Sequence, residues 1–220
     1  MGAGGVVALK VVRLASDPAR ERLLAVAEEL FTRHGFDAVS VRDLTSRAKV
    51  NLGAVTYHFG SKEALYHAAI ERLAEPFAAL IAAAAASPGT GLERIDAFVR
   101  AALNYMPTRS GGPITCLLRE LANEGPLPPP ITQLVQRNVG TVTALIKVGQ
   151  ADGSIRAGDP TLLALTAVSQ PFYIKVAGRG IEQALGVKRG DPAVWARIVD
   201  HVAESVRRAI ASDRSPSRKP

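Results

Sequence analysis

Residues 40–66 of the chain read SVRDLTSRAKVNLGAVTYHFGSKEALY. Within this stretch Val41, Leu44 and Ala48 recur at the spacing of one helical face, which predicts a short amphipathic helix. The sequence Asn-Leu-Gly at 51–53 then interrupts the apolar pattern, and a second short helix follows. Two short helices joined by a tight turn are typical of a helix-turn-helix that reads DNA.

The second helix of this unit has a narrow apolar side. Val55 and Phe59 lie four positions apart and are its predicted anchors against the rest of the domain. Gly60 is predicted to end the helix, and Ser61 to cap the next one. The residues left to face outward are Ala54, Thr56, Tyr57 and His58. Small, aromatic and hydrogen-bonding groups of this kind suit a DNA groove.

The block from residue 19 to residue 73 resembles the tetracycline-repressor (TetR) family of bacterial transcription regulators. Its most specific stretch is GAVTYHFGSKEAL at 53–65. Lys49 stands where the family usually has a glycine at the end of the second helix, a position that often needs positive φ, so either this lysine has a strained left-handed backbone or the turn differs slightly. Thr45 replaces the usual alanine in the same helix. Neither departure removes a groove-facing residue.

The resemblance implies an all-α fold with two parts. An N-terminal three-helix domain would carry the helix-turn-helix, and a C-terminal helical bundle would bind an effector and form a homodimer. The implied function is that of a ligand-responsive regulator, most often a repressor, which a small effector releases from double-stranded operator DNA. No cofactor is expected.

The resemblance also assigns roles to individual side chains. Tyr57 and Lys62 are expected to contact phosphates. Lys62 falls in the first turn of a helix, where its ammonium and the free backbone N–H groups suit a phosphate oxygen. Leu52 lies where the second helix points at base edges, and an apolar group there can read a thymine methyl. The predicted DNA contacts in full are Ser40, Arg42, Leu52, Gly53, Ala54, Thr56, Tyr57, His58 and Lys62.

Each of these assignments has a structural alternative. Tyr57 could pack on the first helix, and Lys62 could be a solvated lysine. His58 could serve either as a contact or as a packing residue. Arg42 and Arg47 are expected to be solvated or ion-paired and not to read bases.

The composition favours a helical core. Apolar residues make up 47% of the chain and aromatic residues only 5%, so the core must come from Leu, Val, Ile and Ala. The net charge of +7 is less informative, because Lys10 and Arg13 supply +2 and residues 207–220 supply +4. The charge therefore agrees with DNA binding without establishing it.

The compartment is predicted from three features. The longest apolar run, residues 77–86, is far shorter than the roughly 20 residues of a membrane helix. Lys10 and Arg13 follow the N-terminal apolar residues instead of preceding them, so no signal peptide is predicted. Cys116 is the only cysteine, which rules out an intramolecular disulfide; it could be a buried small hydrophobe or a redox-sensing thiol. A reducing cytoplasm fits these features.

Apolar periodicity predicts nine helices and no sheet. A long helix from residue 61 to residue 86 would connect the two domains, and Pro171 should kink a later apolar helix. The predicted divisions are a flexible arm at 1–16, the DNA-binding domain at 17–66, the effector-binding and dimerisation domain at 67–212, and a basic disordered tail at 213–220.

Two sites are predicted in the C-terminal part. A predominantly apolar effector is expected in a pocket, although each lining residue could instead belong to the core. The pocket residues are Phe98, Met106, Leu117, Leu121, Phe172 and Tyr173. A dimer interface is expected on the last two long helices, where the apolar surface exceeds what one core needs. Its residues are Trp195, Ile198, Val199, Val202 and Val206.

Enzymatic and metal-binding functions lack sequence support. The chain has no GxxxxGK[ST], GxSxG or HExxH motif, and Gly178-Arg179-Gly180 lacks the third glycine of a dinucleotide site. The histidines have no acidic or cysteine partner at metal-ligand spacing. Two alternatives stay open: a helical small-molecule-binding or scaffolding protein without DNA affinity, and an enzyme with an unrecognised site.

Overall fold

Nine α-helices run through the residues described by the computed structural model, which are 17–105, 113–122, 125–186, 188 and 190–213. They are α1 (Pro18–His34), α2 (Val41–Ala48), α3 (Ala54–Phe59), α4 (Lys62–Ala86), α5 (Gly91–Tyr105), α6 (Pro113–Leu121), α7 (Pro129–Ala151), α8 (Pro160–Leu185) and α9 (Pro192–Ile210). The β-type pairing in these ranges is one isolated bridge between Ile155 and Ala211. The predicted all-α fold is confirmed; the predicted arm, most of the tail and Met106 lie outside the described residues.

Three helices start at the same dipeptide. Asp17, Asp159 and Asp191 each precede a proline, and each carboxylate accepts a hydrogen bond of 2.7–2.8 Å from a backbone N–H in the first turn. Proline at the first helical position costs no helical hydrogen bond, because that N–H would have no partner in the helix. The dipeptide thus fixes the starts of α1, α8 and α9.

The buried side chains form two clusters. The first joins α1, α2 and α3 to the start of α4, and it also contains Cys116 of α6 with Ile131 and Leu134 of α7. The second fills the space among the rest of α4 and helices α5, α7, α8 and α9. The predicted DNA-binding domain ended at residue 66, whereas its buried cluster continues along α4 to Ala74.

Two long helices contain an internal proline. Pro76 lies in α4 between Ala74, which belongs to the first cluster, and Ile81, which belongs to the second. Pro171 lies in α8. A proline inside a helix removes one backbone hydrogen bond, so α4 has one bond fewer where it passes between the clusters. The predicted kink at Pro171 stays a prediction.

α9 turns its apolar stripe towards the core of its own chain. Val199, Val202 and Val206 are between 1% and 6% exposed, in the cluster that α9 shares with α5 and α8. Trp195 and Ile198 extend the same inward-facing stripe and are partly buried. Val199, Val202 and Val206 therefore pack in the chain's own core and are not free for a dimer interface, whereas for the partly buried Trp195 and Ile198 that role stays a prediction.

α8 is covered on one side only. Leu163, Ala164 and Ala167 are buried, as expected for a core helix. The exposed apolar residues of α8 are Leu162, Leu165, Tyr173 and Val176. These side chains are the part of α8 that the single chain leaves uncovered.

None of the helices in the described ranges combines the length and the apolar character that a membrane span requires.

Candidate DNA-binding surface and effector cavity

A reciprocal cap fixes the start of α2. The Asp43 backbone N–H donates to Ser40 Oγ (3.1 Å), and the Ser40 backbone N–H donates to Asp43 Oδ2 (2.9 Å). The hydrogen bonds from Ser40 hold the pKa of the Asp43 carboxyl below its usual value. The Ser40 hydroxyl also donates to Asp43 Oδ2, so its oxygen is already engaged within the protein. This is the capping-box arrangement that fixes a helix start.

The turn between α2 and α3 contains the expected left-handed residue. Lys49 has φ 53° and ψ 52°, and it is the one non-glycine residue with positive φ in the described ranges. Its exposed side chain follows α2 directly. Inside α2, Thr45 is buried, and its hydroxyl donates to the Val41 carbonyl at 2.9 Å. The hydroxyl that replaces the family's usual alanine is thus satisfied within the helix.

α3 exposes a narrow edge. The Tyr57 side chain is 83% exposed, the Leu52 side chain just before the helix is 58% exposed, and Thr56 is also exposed. Gly53 is exposed as well and precedes the first residue of α3. Thr56 and Tyr57 thus have the outward orientation predicted from the spacing of the apolar anchors.

Ala54 and His58 do not belong to this edge. Ala54 is 6% exposed and lies in the first buried cluster. The His58 side chain is 10% exposed, with Nδ1 3.8 Å from Asp17 Oδ2 at the cap of α1. The prediction that both residues face outward is wrong, because this side of α3 packs on the rest of the domain. The His58 ring instead makes an edge contact with Tyr57, at 4.8 Å between ring centres.

Lys62 stands at the first position of α4, beside the exposed edge of α3. Its Nζ lies 4.1 Å from the centre of the Phe36 ring, within the range of a cation–π contact. Ser61 caps the helix by accepting a hydrogen bond from the Ala64 N–H at 3.1 Å. Lys62 thus belongs to the first turn of α4, whose free N–H groups suit a phosphate oxygen, while its ammonium rests on the Phe36 ring.

The two arginines of α2 differ in their surroundings. Arg42 is exposed near the start of the helix. Arg47 donates to Glu29 Oε1 of α1 at 2.7 Å, so it is ion-paired, as the sequence suggested.

An apolar cavity of about 390 Å³ lies among five helices, α4 to α8. Its lining residues are Phe77, Ile81, Phe98, Ala102, Ile114, Leu117, Leu134, Val135, Asn138, Val139, Val142, Leu165, Val168, Ser169, Pro171 and Phe172. Asn138 and Ser169 are the two polar members of this set. The Ser169 hydroxyl donates to the Thr166 carbonyl at 3.1 Å, so Asn138 supplies the amide able both to donate and to accept.

The sequence identified part of this lining. Phe98, Leu117 and Phe172 were expected there and line the cavity. Leu121 and Tyr173 are instead 55% and 61% exposed. Leu121 is the last residue of α6, and Tyr173 projects from α8 about 100° away from its neighbour Phe172, so neither reaches the cavity. The contributions of α4 and α7 were missed, because their apolar stripes resemble ordinary core stripes.

Cys116 lies on α6 and is 1% exposed, with Sγ 3.4 Å from Thr32 Oγ1. Burial raises the pKa of its thiol. Both features favour a small buried hydrophobe over a redox-sensing thiol, which needs exposure and thiolate character.

The helix-turn-helix also matches a known family. Residues 23–69 match the pattern of the bacterial regulatory proteins of the tetR family. The similarity to this family's pattern therefore covers the N-terminal helices of the chain. The match of the chain to the HTH-type transcriptional repressor Rv3405c of Mycobacterium tuberculosis is 43% identical over 51 residues, which is 23% of this chain and 27% of that protein. The chain thus spans about a quarter of the length of the first curated relatives it matches.

Solved structures extend the likeness in fold to most of the chain. A TetR transcriptional regulator from Chloroflexus aurantiacus is 24% identical, with a TM-score of 0.68 over 88% of this chain and 96% of that one. The ketosteroid transcriptional regulator KstR2 of Mycobacterium tuberculosis is 20% identical, with a TM-score of 0.59 over 88% of this chain and 95% of that one. The described part of the chain therefore shares the fold of these solved structures.

Proposed function

We propose that the chain is a transcriptional repressor that lays α3 in the major groove of operator DNA. The observation that carries this proposal is the exposed edge of α3 within the helix-turn-helix that matches the family. Leu52, Gly53 and Thr56 face the base edges. A hydroxyl can hydrogen-bond a base, an apolar side chain can contact a thymine methyl, and a glycine allows close approach of the backbone.

Phosphate contacts flank the base-reading edge. Tyr57 and Lys62 bind the backbone on one side of α3, and Ser40 with Arg42 at the start of α2 binds it on the other. Ala54 and His58 support α3 from behind and are not contacts in this proposal. Because the base-reading groups are few and mostly apolar, part of the sequence preference comes from DNA shape.

Fluorescence anisotropy with a duplex from the DNA flanking the gene tests this proposal. Lys62→Ala should weaken binding to every duplex and reduce the slope of log K against log salt by about one, because one phosphate contact is lost. Tyr57→Ala should weaken binding to every duplex with a smaller effect on that slope, since the phenol carries no charge.

Lys147→Ala provides the matched control, because Lys147 is an exposed lysine on α7, outside the helix-turn-helix. It should bind DNA as the wild type does. If Lys62→Ala and Tyr57→Ala also bind as the wild type does, the docking arrangement is wrong. Ligand binding without any duplex binding would point instead to a helical small-molecule-binding protein.

The effector proposed for the cavity is neutral and largely hydrocarbon. A volume of about 390 Å³ falls in the range of roughly 300–1,000 Å³ that holds drug-sized ligands. The lining that the described residues supply has no charged side chain, so burial of an ionised ligand would be costly. KstR2, which shares this fold, is named for ketosteroids, a class with the same balance of hydrocarbon and a few polar atoms.

A screen of neutral apolar compounds, organic anions and polar metabolites tests the effector class by thermal shift and by release of duplex DNA. Neutral apolar compounds should act, and those with one hydrogen-bonding group should lose affinity in Asn138→Leu. Gln136→Leu removes an exposed amide from the same helix and should leave their affinity unchanged. Activity confined to strongly charged compounds would contradict this class.

The proposed homodimer uses the outer face of α8. Leu162, Tyr173 and Val176 are large apolar side chains that the single chain leaves exposed. Such a stripe marks a surface for another protein, and a second copy of the same helix gives the two-fold contact usual in homodimers. Two reading heads would then face two half-sites on the operator.

A further inference from the structure

α6 separates the cavity from the DNA-binding domain and contacts both. Ile114 and Leu117 line the cavity on one side of this nine-residue helix. Cys116 and Glu120, one turn apart, face α1 and the start of α4 on another side. A displacement of α6 by the contents of the cavity would therefore be felt directly in the DNA-binding domain.

Glu120 is the polar anchor on that second side. Glu120 is only 5% exposed. Its Oε1 accepts a hydrogen bond from the Phe36 backbone N–H (3.3 Å) and another from the Tyr66 hydroxyl (3.1 Å). Burial and the nearby Glu120 carboxylate raise the pKa of the Tyr66 phenol, which therefore remains a hydrogen-bond donor. A buried carboxylate needs such donors to offset its lost hydration, so this contact has a defined geometry.

The groups held by Glu120 lead directly to a proposed DNA contact. Phe36 packs against Tyr66, with 5.0 Å between the ring centres. The Phe36 ring also stacks on Phe31, with 6.1 Å between the ring centres, and lies 4.1 Å from the Lys62 ammonium. Phe36, in the loop after α1, thus connects the Glu120 carboxylate of α6 to Lys62, the lysine proposed to contact a phosphate.

We propose that Glu120 is the positioning residue that couples occupancy of the cavity to the affinity for DNA. A ligand that packs against Leu117 favours a position of α6 in which Glu120 no longer holds the Phe36 N–H and the Tyr66 hydroxyl. Phe36 is then released, and Lys62 loses the surface on which its ammonium rests. This inference rests on the proposed function, because it needs both a ligand in the cavity and DNA on α3.

The coupling has a thermodynamic form. A ligand shifts the balance between two arrangements only by its different affinity for each, and DNA must affect ligand affinity by the same factor. Without the Glu120 contact the two arrangements no longer differ at Phe36. Ligand and DNA should then bind independently.

The first experiment follows deuterium exchange at the Phe36 amide in the full chain, with and without N-phenyl-1-naphthylamine, a neutral apolar fluorescent probe. In the wild type, saturation with the probe should speed exchange at this amide. In Glu120→Leu the amide should exchange fast from the start, with no further response. Glu120→Gln keeps an acceptor oxygen and should restore the wild-type response.

The second experiment measures the affinity for the probe with and without saturating duplex. The wild type should show a change of about fivefold or more, Glu120→Gln should retain it, and Glu120→Leu should show no change. Glu75→Leu removes a carboxylate from an exposed position on α4 and should behave as the wild type does. Circular dichroism melting confirms that each variant is folded.

Several results would overturn the inference. One is a bound probe that leaves Phe36 exchange unchanged in the wild type, and another is coupling that survives in Glu120→Leu. A wild type that binds no duplex contradicts the DNA part of the proposed function, while amide exchange still tests Glu120. A wild type that does not bind the probe overturns the cavity and this inference together.

Discussion

At the scale of single residues, Lys49 combines an exposed cation with an unfavourable backbone. Its φ of 53° lies in the left-handed region, which costs an ordinary L-residue roughly 1–2 kcal/mol and glycine much less. The turn between α2 and α3 therefore keeps a positive charge next to the DNA-binding surface at a cost in stability.

Lys49→Gly should raise the free energy of unfolding by about 0.5–1 kcal/mol. Relief of the left-handed conformation should outweigh the greater freedom that glycine gives the unfolded chain. Urea unfolding followed by circular dichroism measures the change. Lys49→Ala removes the same charge but keeps the side-chain penalty, so its stability should remain near that of the wild type. A glycine variant no more stable than the alanine variant would contradict the strain argument.

The errors at Ala54 and His58 show where residue-level prediction ends. α3 has six residues, and it contains two pairs four positions apart, 54 with 58 and 55 with 59. In the structure both pairs lie on the side of α3 that packs against the domain. The sequence pattern predicted this only for Val55 and Phe59, the more apolar pair. Alanine and histidine carry too little hydrophobic signal to reveal burial, while Lys49 was predictable because a single family position departed from glycine.

At the scale of elements, the docking of α6 depends on the end of α1. Gly35 has φ +83°, and a Cβ atom placed there would lie 3.1 Å from Cδ of Arg119. Arg119 Nε also donates to the Thr32 carbonyl at 3.3 Å. The loop after α1 is thus shaped by glycine so that α6 can approach it.

Gly35→Ala should lower the free energy of unfolding by more than 1 kcal/mol, through left-handed strain and the close contact with α6. It should also speed exchange at the Phe36 amide, because α6 can no longer sit in place. Gly60→Ala carries similar strain at φ +85°, but its Cβ would meet no atom within 4 Å. That variant should lose stability without affecting Phe36, and equal effects on Phe36 would contradict the role given to Gly35.

Apolar periodicity predicted which helices exist. It did not predict whether each apolar face packs inside the chain or against a second chain. Gly60 and Ser61 were predictable as a helix end and a cap, because capping is a local interaction. The apolar stripe of α9 was recognised, but the burial of Val199, Val202 and Val206 within the same chain was not, since a stripe facing the chain's own core has the same sequence pattern as one facing a second chain. The cavity depends on five helices meeting, and the sequence predicted only Phe98, Leu117 and Phe172 of its lining.

At the scale of the whole molecule, the exposed apolar surface of α8 predicts a homodimer, which the molecular mass in solution can test. Light scattering at micromolar concentration should give about twice the monomer mass of 23.2 kDa. Leu162→Glu combined with Val176→Glu should give the monomer mass, because two carboxylates would be buried at the two-fold contact. Ala144→Glu adds a carboxylate at an exposed site on α7 and should remain dimeric. A wild type of monomer mass would contradict the α8 interface.

The chain contains one tryptophan, Trp195, whose indole N–H donates to Asn104 Oδ1 at 3.1 Å. This contact joins α9 to α5, the helix that carries Phe98 and Ala102 into the cavity wall. The protein therefore has its single tryptophan at the contact between α5 and α9 and no tryptophan in the helix-turn-helix. With a dye on the duplex, tryptophan emission and dye anisotropy would follow the two ends of the molecule separately in one cuvette, on unlabelled protein.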